Sequence, residues 1–279
     1  MSAPVLDLGR TGGQGLQEAA LWGRLVGNEV AKGLWLLWRR RAMALTTAVA
    51  EAVVYLGVSL FIGGGHIVRP FMVLTLPALL ASVVAVSAAL GGSGGIAEEI
   101  NAGTLEQSQI GLAPPELQVL GRFCALAVEG LVIAAVLGVA FTLGFGLSFH
   151  VGAGLVVPAV LSVIGALGYG LVITGLTMRM ASIGAVTHVA NMAVQFFGGM
   201  LVPVALFPAG LETFSRFLPI TLGVEALDAT LGGRSLASVW ASGTLPLLVA
   251  YAAGSFGLGM AVYSLNVRRA RRQGGLSSR

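Results

Sequence analysis

Acidic and amide side chains within apolar stretches are the residues of this sequence best suited to chemistry. Glu51 and Glu129 lie in apolar runs of membrane-crossing length, and Asn191 and Gln195 lie four residues apart in another. Ionisable residues in such runs are costly and are functional candidates by default, and a spacing of four places Asn191 and Gln195 on one helix face. We interpret these four residues as candidates for a substrate path. Structural pairing with a nearby arginine is the alternative for the two glutamates, and hydrogen bonding across a dimer is the alternative for Asn191 and Gln195.

A second group of acids lies in a polar interruption between residues 97 and 122. It includes Glu98, Glu99 and Glu106 and is flanked by two apolar runs. Charge and unpaired backbone are expensive in hydrocarbon, so this segment must lie outside it. The apolar spacing predicts a short amphipathic helix over residues 97–111 with its acidic side outward, ended by Pro114 and Pro115. We interpret it as a docking surface for another protein, and a solvated loop is the alternative.

Other catalytic chemistry has little support in the sequence. The tetrapeptide Gly91–Gly94 fits G-x-S-G, the nucleophile setting of intramembrane serine proteases, with His188 as the possible base. The glycine-rich stretch GGSGG is better explained as the end of a membrane span. No cluster of metal ligands is evident, and the single cysteine, Cys124, excludes an internal disulfide.

The composition indicates an all-α integral membrane protein. Hydrophobic residues make up 56% of the 279 residues, charged residues only 10%, and the mean hydropathy is +0.89, whereas soluble chains average about 25% charged residues. The apolar runs are about 20 residues long, the length of a transmembrane helix. The 41 glycines suit close helix packing in lipid.

The apolar runs predict six transmembrane helices. They are expected at about residues 42–62, 71–90, 122–147, from the turn at 150–152 to 176, 183–201 and 245–265. GGSGG is expected to break the second of them before the surface helix. Together these spans form a transmembrane domain over residues 42–267.

Three further segments complete the predicted organisation. Residues 1–15 are expected to be a mobile tail, residues 16–41 an amphipathic helix in the membrane interface, and residues 268–279 a basic cytoplasmic tail. Residues 202–242 are expected to contain short re-entrant helices before the last span. The residues that mark this re-entrant segment are Pro203, Pro208, Pro219 and Glu225.

The distribution of cations predicts the orientation. Six spans place both termini on one side, and the segments on that side contain 13 of the 16 basic residues. The positive-inside rule therefore places both termini and the acidic surface helix in the cytoplasm. This clustering is a topology signal, so the net charge of +4 does not indicate nucleic-acid binding. Abundant arginine, alanine and glycine suggest a GC-rich bacterial genome, hence the bacterial cytoplasmic membrane.

The loop EEINAGTLEQSQIGLAPPELQVLGR resembles that of the membrane subunits of ABC exporters, the ABC type-2 permease family. The matching residues are Glu98, Glu99, Gly103, Thr104, Leu105, Glu106, Gln107, Pro114, Gly121 and Arg122. The segment before the last span is also similar, with Pro219, Ile220, Thr221 and Glu225 matching. The likeness extends from about residue 16 to residue 272, and the sequence departs from it at residues 109–111, where relatives carry a longer apolar run.

The resemblance implies a dimer with a second permease copy or a paralogue, and an ATPase subunit docked beneath each. Residues 97–111 would be the coupling helix, with Glu98, Glu99, Gly103, Thr104, Leu105, Glu106 and Gln107 as contacts to the ATPase. This chain has no G-x-x-x-x-G-K-[ST] motif, and Lys32 is its only lysine. It is therefore expected to bind no cofactor and to be no enzyme, with ATP and Mg²⁺ held by the partner.

The expected function is export of an amphiphilic substrate, such as a drug, antibiotic, lipid or glycolipid, because the predicted spans provide an apolar lining. A polysaccharide or glycolipid channel subunit is one alternative, although aromatic residues are only 7% of the chain. An ion-driven secondary transporter is another, although no inverted repeat is evident. An intramembrane enzyme would need a polar catalytic cluster at one depth.

Overall fold

The computed structural model describes most of the chain. The described residues are 41–103, 115–178, 183–218 and 220–273, with 23–24, 27–28, 30–35 and 38–39 near the N-terminus. Within them the secondary structure is helical, without a strand. The prediction for residues 1–15 and that for the last six residues of the basic tail, 274–279, lie outside the described residues.

Nine α-helices of the described residues form the structure. They are α1 (Arg41–Ile62), α2 (Arg69–Asn101), α3 (Pro115–Phe145), α4 (Val156–Thr177), α5 (Ile183–Phe197), α6 (Ala209–Ser215), α7 (Thr221–Leu231), α8 (Leu236–Ala241) and α9 (Thr244–Gln273). Single 3₁₀ turns at Ala153–Leu155 and Val204–Leu206 precede α4 and α6. The described residues between 23 and 39 are also helical.

Five helices of the described residues are long and apolar enough to cross a membrane: α1, α2, α3, α4 with its preceding turn, and α9. The multi-pass helical class expected from the composition is therefore confirmed. The predicted fifth span differs from α5, which has 15 residues and ends at Phe197, about 22 Å against a hydrocarbon core of about 30 Å. Gly199, with φ +94°, follows in the turn after it. Six spans remain a prediction.

Helix α2 is the centre of the bundle. It is the most buried of the five long helices and packs against α1, α3, α4, α5 and α7. Its side chains Leu76, Leu79 and Val83 are fully or almost fully buried in the main apolar cluster. Since 33 residues extend about 50 Å, α2 is longer than the hydrocarbon is thick.

The prediction that GGSGG ends the second span is wrong, because α2 runs through it without interruption. In lipid the backbone groups must be paired within the helix, which keeps such a run helical. The glycines allow neighbouring helices to approach closely. A Cβ at Gly91 would lie 2.3 Å from Leu126 of α3, and one at Gly92 would lie 2.3 Å from the Thr174 hydroxyl of α4. Ser93 is buried and donates to the Ala89 carbonyl, as an ordinary helical serine does.

Helix α2 ends at Asn101, so it includes only the first residues of the polar interruption at 97–122, which we call the acidic segment. The Gly103 amide donates to the Ile100 carbonyl, and Gly103 has φ +64°, a common conformation after a helix. The described part of the predicted helix 97–111 is thus the last turn of α2, and residues 104–114 lie outside the described residues. The third span begins at Pro115, earlier than expected, because proline is favoured in the first turn of a helix.

Helices α4 and α9 form the most extensive helix pair. A Cβ at Gly168 would lie 2.5 Å from the Phe256 nitrogen, and one at Gly259 would lie 2.5 Å from the Gly168 carbonyl oxygen. A Cβ at Gly175 would lie 3.0 Å from the backbone of Tyr263. These glycines bring two backbones into contact, the role expected of small residues in membrane helices.

Candidate functional site

A polar cluster lies between α1, α4 and α5, surrounded by apolar residues. The Gln195 side-chain amide donates to Glu51 Oε1 across 2.9 Å, and the Tyr169 hydroxyl donates to Asn191 Oδ1 across 3.1 Å. Thr187, Asn191 and Gln195 are four residues apart along α5 and form one stripe. We call Glu51, Tyr169, Thr187, Asn191 and Gln195 the intramembrane cluster.

Three buried atoms of the intramembrane cluster lack a hydrogen-bond partner among the described residues. They are Glu51 Oε2, Asn191 Nδ2 and Thr187 Oγ1. Glu51 is 7% exposed and Asn191 is 5% exposed. Unpaired buried polar atoms are rare and costly, and they call for an explanation such as a ligand or water. The cluster can therefore hydrogen-bond a polar group that enters between the helices.

The structure brings together three of the four predicted substrate-path residues. Glu51 contacts Gln195, and Asn191 lies one turn away from Gln195. Glu51 hydrogen-bonds to an amide, where the alternative expectation was an arginine. Glu129 is half-buried on α3, a helix that carries no member of the cluster. His188, considered above as a possible base, is exposed on α5.

Ion pairs connect the helix ends at the acidic segment. Glu99 of α2 pairs with Arg122 of α3, and Glu116 of α3 lies 3.9 Å from Arg268 of α9. Gly95 leaves room for the Arg122 guanidinium, since a Cβ there would lie 3.2 Å from it. Among the predicted contacts to an ATPase, Glu98 is exposed and Gly103 is in the turn after α2. The remaining predicted contacts, Thr104, Leu105, Glu106 and Gln107, lie outside the described residues.

The predicted re-entrant segment forms a second polar region near the start of α2. Pro203 and Glu225 line a pocket there, Pro208 immediately precedes α6, and Pro219 lies outside the described residues. Arg216, the residue after α6, bridges Glu212 and Glu225 at 3.2 Å each. The short lengths of α6, α7 and α8 agree with the expectation of helices that do not cross.

In this region, the carboxyl group of Asp228 has a raised pKa. Burial raises the pKa of its carboxyl group to about 7, and the nearby charge of Glu225 contributes in the same direction. Asp228 and Glu225 lie three residues apart, on the same side of α7.

Several residues of these sites were not identified from the sequence. Tyr169 and Thr187 belong to the intramembrane cluster, and Glu212, Arg216 and Asp228 belong to the polar region near the start of α2. The spacing of Glu212 and Arg216 by four residues was a usable signal for a helical ion pair. Tyr169 had no such signal, because its contact with Asn191 joins two helices.

No protein-family model matches the chain, and no curated protein matches it at a significant level of similarity. The functional proposal therefore depends on the sequence pattern and on the geometry of these residues.

Proposed function

We propose that this chain is the permease subunit of an ATP-driven ABC exporter. The observation that carries the proposal is the course of α2. Near the start of this helix Leu74 lines the pocket of the re-entrant segment, and near its end Glu98 and Glu99 lie in the acidic segment. Between them the helix passes through the centre of the bundle. A helix packed along its length moves as a rigid element, so a force applied at the acidic end reaches the other end.

The partner supplies the energy in this proposal. An ATPase subunit holds ATP and Mg²⁺ and docks on the acidic segment, whose exposed carboxylate Glu98 suits a basic surface. The Glu99–Arg122 and Glu116–Arg268 pairs join α2, α3 and α9 at this end. Movement of the docked partner would therefore shift three long helices together between two access states.

The proposal includes six spans, with α5 as the short fifth, and both termini in the cytoplasm of a bacterial cell. The described residues between 23 and 39 form part of an interfacial helix, where Arg39 lies 5.0 Å above the Trp35 ring and Trp38 is exposed. A second copy or a paralogue completes the translocation path.

The intramembrane cluster supplies the polar contacts of the path. Its unpaired atoms, Glu51 Oε2 and Asn191 Nδ2, would hydrogen-bond the polar part of an amphiphilic substrate, such as a drug, antibiotic, lipid or glycolipid. The surrounding apolar side chains would hold the remainder. A polysaccharide or glycolipid channel subunit is the related alternative.

An ion-driven secondary transporter is the second candidate function. It is favoured by one observation, the buried carboxyl group of Glu51 with an unpaired oxygen inside a membrane-spanning helix. Such groups bind protons or cations in transporters. The two functions differ in whether an ATPase associates with the chain.

Co-purification tests the proposal. We expect the affinity-tagged chain, extracted in mild detergent, to retain an ATPase with Walker motifs, and we expect Glu98→Arg or Glu106→Arg to release it or to uncouple its ATP hydrolysis. The reason is that each reversal places a cation against a basic docking surface. The matched control is Arg234→Glu, a charge reversal at an exposed residue near the opposite end of the bundle.

Mass spectrometry of the purified complexes identifies the retained subunit, and phosphate release measures the hydrolysis. Absence of any ATPase from the wild-type preparation would refute the exporter and favour the ion-driven transporter. Equal retention and equal hydrolysis in wild type and both glutamate variants would show that the acidic segment is not the docking surface.

A further inference from the structure

A pocket of about 310 Å³ lies between α2, α6 and α7. One stripe of α7 forms its polar wall, with Thr221, Glu225 and Asp228 at successive turns. Glu212 of α6 and Arg216, the residue after α6, also line it, and Leu74 of α2 is part of its apolar wall. We call this space the acidic pocket. Its volume is at the lower end of the range of small-molecule sites.

The charges of the acidic pocket do not balance. Three carboxyl groups, those of Glu212, Glu225 and Asp228, share the space with one guanidinium. Arg216 is occupied by Glu212 and Glu225. Asp228 has no hydrogen bond or ion pair to its carboxylate within the part of the chain that the structure describes. A partly buried charge without a partner is costly, and a cation in the pocket would offset that cost.

Thr221 provides an independent indication of a ligand. Its side chain is fully buried and lines the acidic pocket, and its hydroxyl group has no hydrogen-bond partner among the described residues. Thr221 is the first residue of α7 and has no preceding helical turn to accept its hydrogen bond, unlike Thr230, which donates to the Ala226 carbonyl. The Thr221 hydroxyl therefore lies unpaired in the pocket wall, where a polar group that reached it would supply the missing hydrogen bond.

The composition of the wall favours an organic cation over a metal ion. The described residues contain no group of three or more His, Cys, Asp or Glu side chains arranged to hold a metal. Much of the wall is apolar, with Leu74, Pro203, Val204 and Val224 beside the acids. An ammonium group with an attached hydrocarbon satisfies both parts of such a wall.

We propose that the acidic pocket binds an organic ammonium ion, a primary or secondary amine that carries an apolar part. The ammonium contacts Glu225 and Asp228 and the Thr221 hydroxyl, and the apolar part lies against Leu74 and Val224. This proposal is independent of the proposed function, because the binding needs no ATPase and is measured without one.

Binding weakens as the pH falls. Protonation of Asp228, whose pKa burial raises to about 7, removes one of the negative charges that hold the cation, while an aliphatic amine stays charged up to about pH 10. From pH 8 to pH 6 the affinity should fall about tenfold, since roughly one Asp228 in ten remains ionised at pH 6. The other titratable or charged groups on elements near α7 are Glu212, Arg216, Glu225, Arg69, His150, Arg234 and Tyr251. The Asp228→Asn variant shows whether Asp228, and not one of these groups, causes the pH dependence. If Asp228 causes it, the variant should bind weakly at both pH values.

The experiment uses the full chain in phosphatidylcholine nanodiscs and the probe dansylcadaverine, a primary amine on a fluorescent ring system. Fluorescence anisotropy, corrected with empty nanodiscs, gives the affinity. We expect Glu225→Gln to weaken binding about tenfold, the loss of one charge-assisted hydrogen bond. We expect Arg216→Gln to strengthen binding, because it removes the competing cation, whereas a variant that merely damaged the pocket would weaken it.

Two controls make the result decisive. The probe acetylated on its amine has the same apolar part without the charge and should not compete. Glu116→Gln removes an acid at the far end of the bundle and should bind as wild type does. Equal binding of the acetylated probe, or unchanged affinity in both Glu225→Gln and Asp228→Asn, would overturn the proposal. Weaker binding by Arg216→Gln would contradict the assigned roles of the charges.

Discussion

Gly168→Leu should prevent the folded protein from accumulating. A Cβ at this position would lie 2.5 Å from the Phe256 nitrogen and 2.5 Å from the Ser255 carbonyl carbon, both backbone atoms of α9. Backbone cannot rotate away as a side chain can, so α4 and α9 would have to separate along their shared surface. Overpacking a core costs about 1–3 kcal/mol and occasionally more, a large part of a total stability of about 5–15 kcal/mol. Fluorescence-detected size-exclusion chromatography of a fusion protein measures the folded yield.

Gly257→Leu is the matched control for this prediction. Gly257 lies on α9 near the same contact, but a Cβ there would have nothing within 4 Å. The change in helix propensity is the same, and the added side chain would point into open space. We expect a folded yield close to that of wild type. If both leucine variants accumulate equally, the close approach of α4 and α9 at Gly168 is wrong.

Gln195→Leu is the second substitution for which we expect a large effect, a loss of stability. Gln195 is the donor to Glu51 Oε1, and Glu51 Oε2 already has no partner among the described residues. The substitution would leave both oxygens of a buried carboxyl group unpaired, at a cost of about 1–3 kcal/mol and more if the group is charged. A thermal melt of the purified protein in detergent measures the change.

The double variant Glu51→Leu/Gln195→Leu provides the control. Replacing both partners with apolar groups removes the unpaired oxygens, so the double variant should be more stable than Gln195→Leu alone. Additive losses would show that the two side chains do not interact in the folded protein. Substrate transport by Glu51→Gln, which keeps a polar group at this position, tests separately whether the cluster has a functional role.

The sequence determined the class of the protein and the approximate places of its long helices. Hydrocarbon forces backbone groups to pair within a helix, so the length and apolarity of a run are enough to predict a span. Helices α1, α2, α3, α4 and α9 therefore lie at the predicted runs. Their ends were less predictable. Helix α9, for example, continues to Gln273. A helix can extend beyond the hydrocarbon because its backbone groups remain hydrogen-bonded within the helix.

Side-chain partners between helices were decided only by the tertiary structure. The stripe of Asn191 and Gln195 could be derived from helical spacing, but their contacts with Tyr169 and Glu51 depend on how α4 and α1 pack against α5. The sequence separations of these pairs are 22 and 144 residues, and no local periodicity contains that information. The unbalanced charges around Asp228 have the same origin, since they require α6 and α7 to meet.

At the glycines of GGSGG, the local sequence and the tertiary structure favour different backbone conformations. Taken by itself, a run of glycines favours a break, because glycine loses the most conformational freedom in a helix. The fold decides otherwise, since Gly91 and Gly92 lie against Leu126, Phe123 and Thr174 with no room for a side chain. The sequence determined that this protein is a bundle of membrane helices. Packing between those helices decided that α2 continues through its glycines to the acidic segment, because close contact and internal hydrogen bonding outweigh the local preference for a turn.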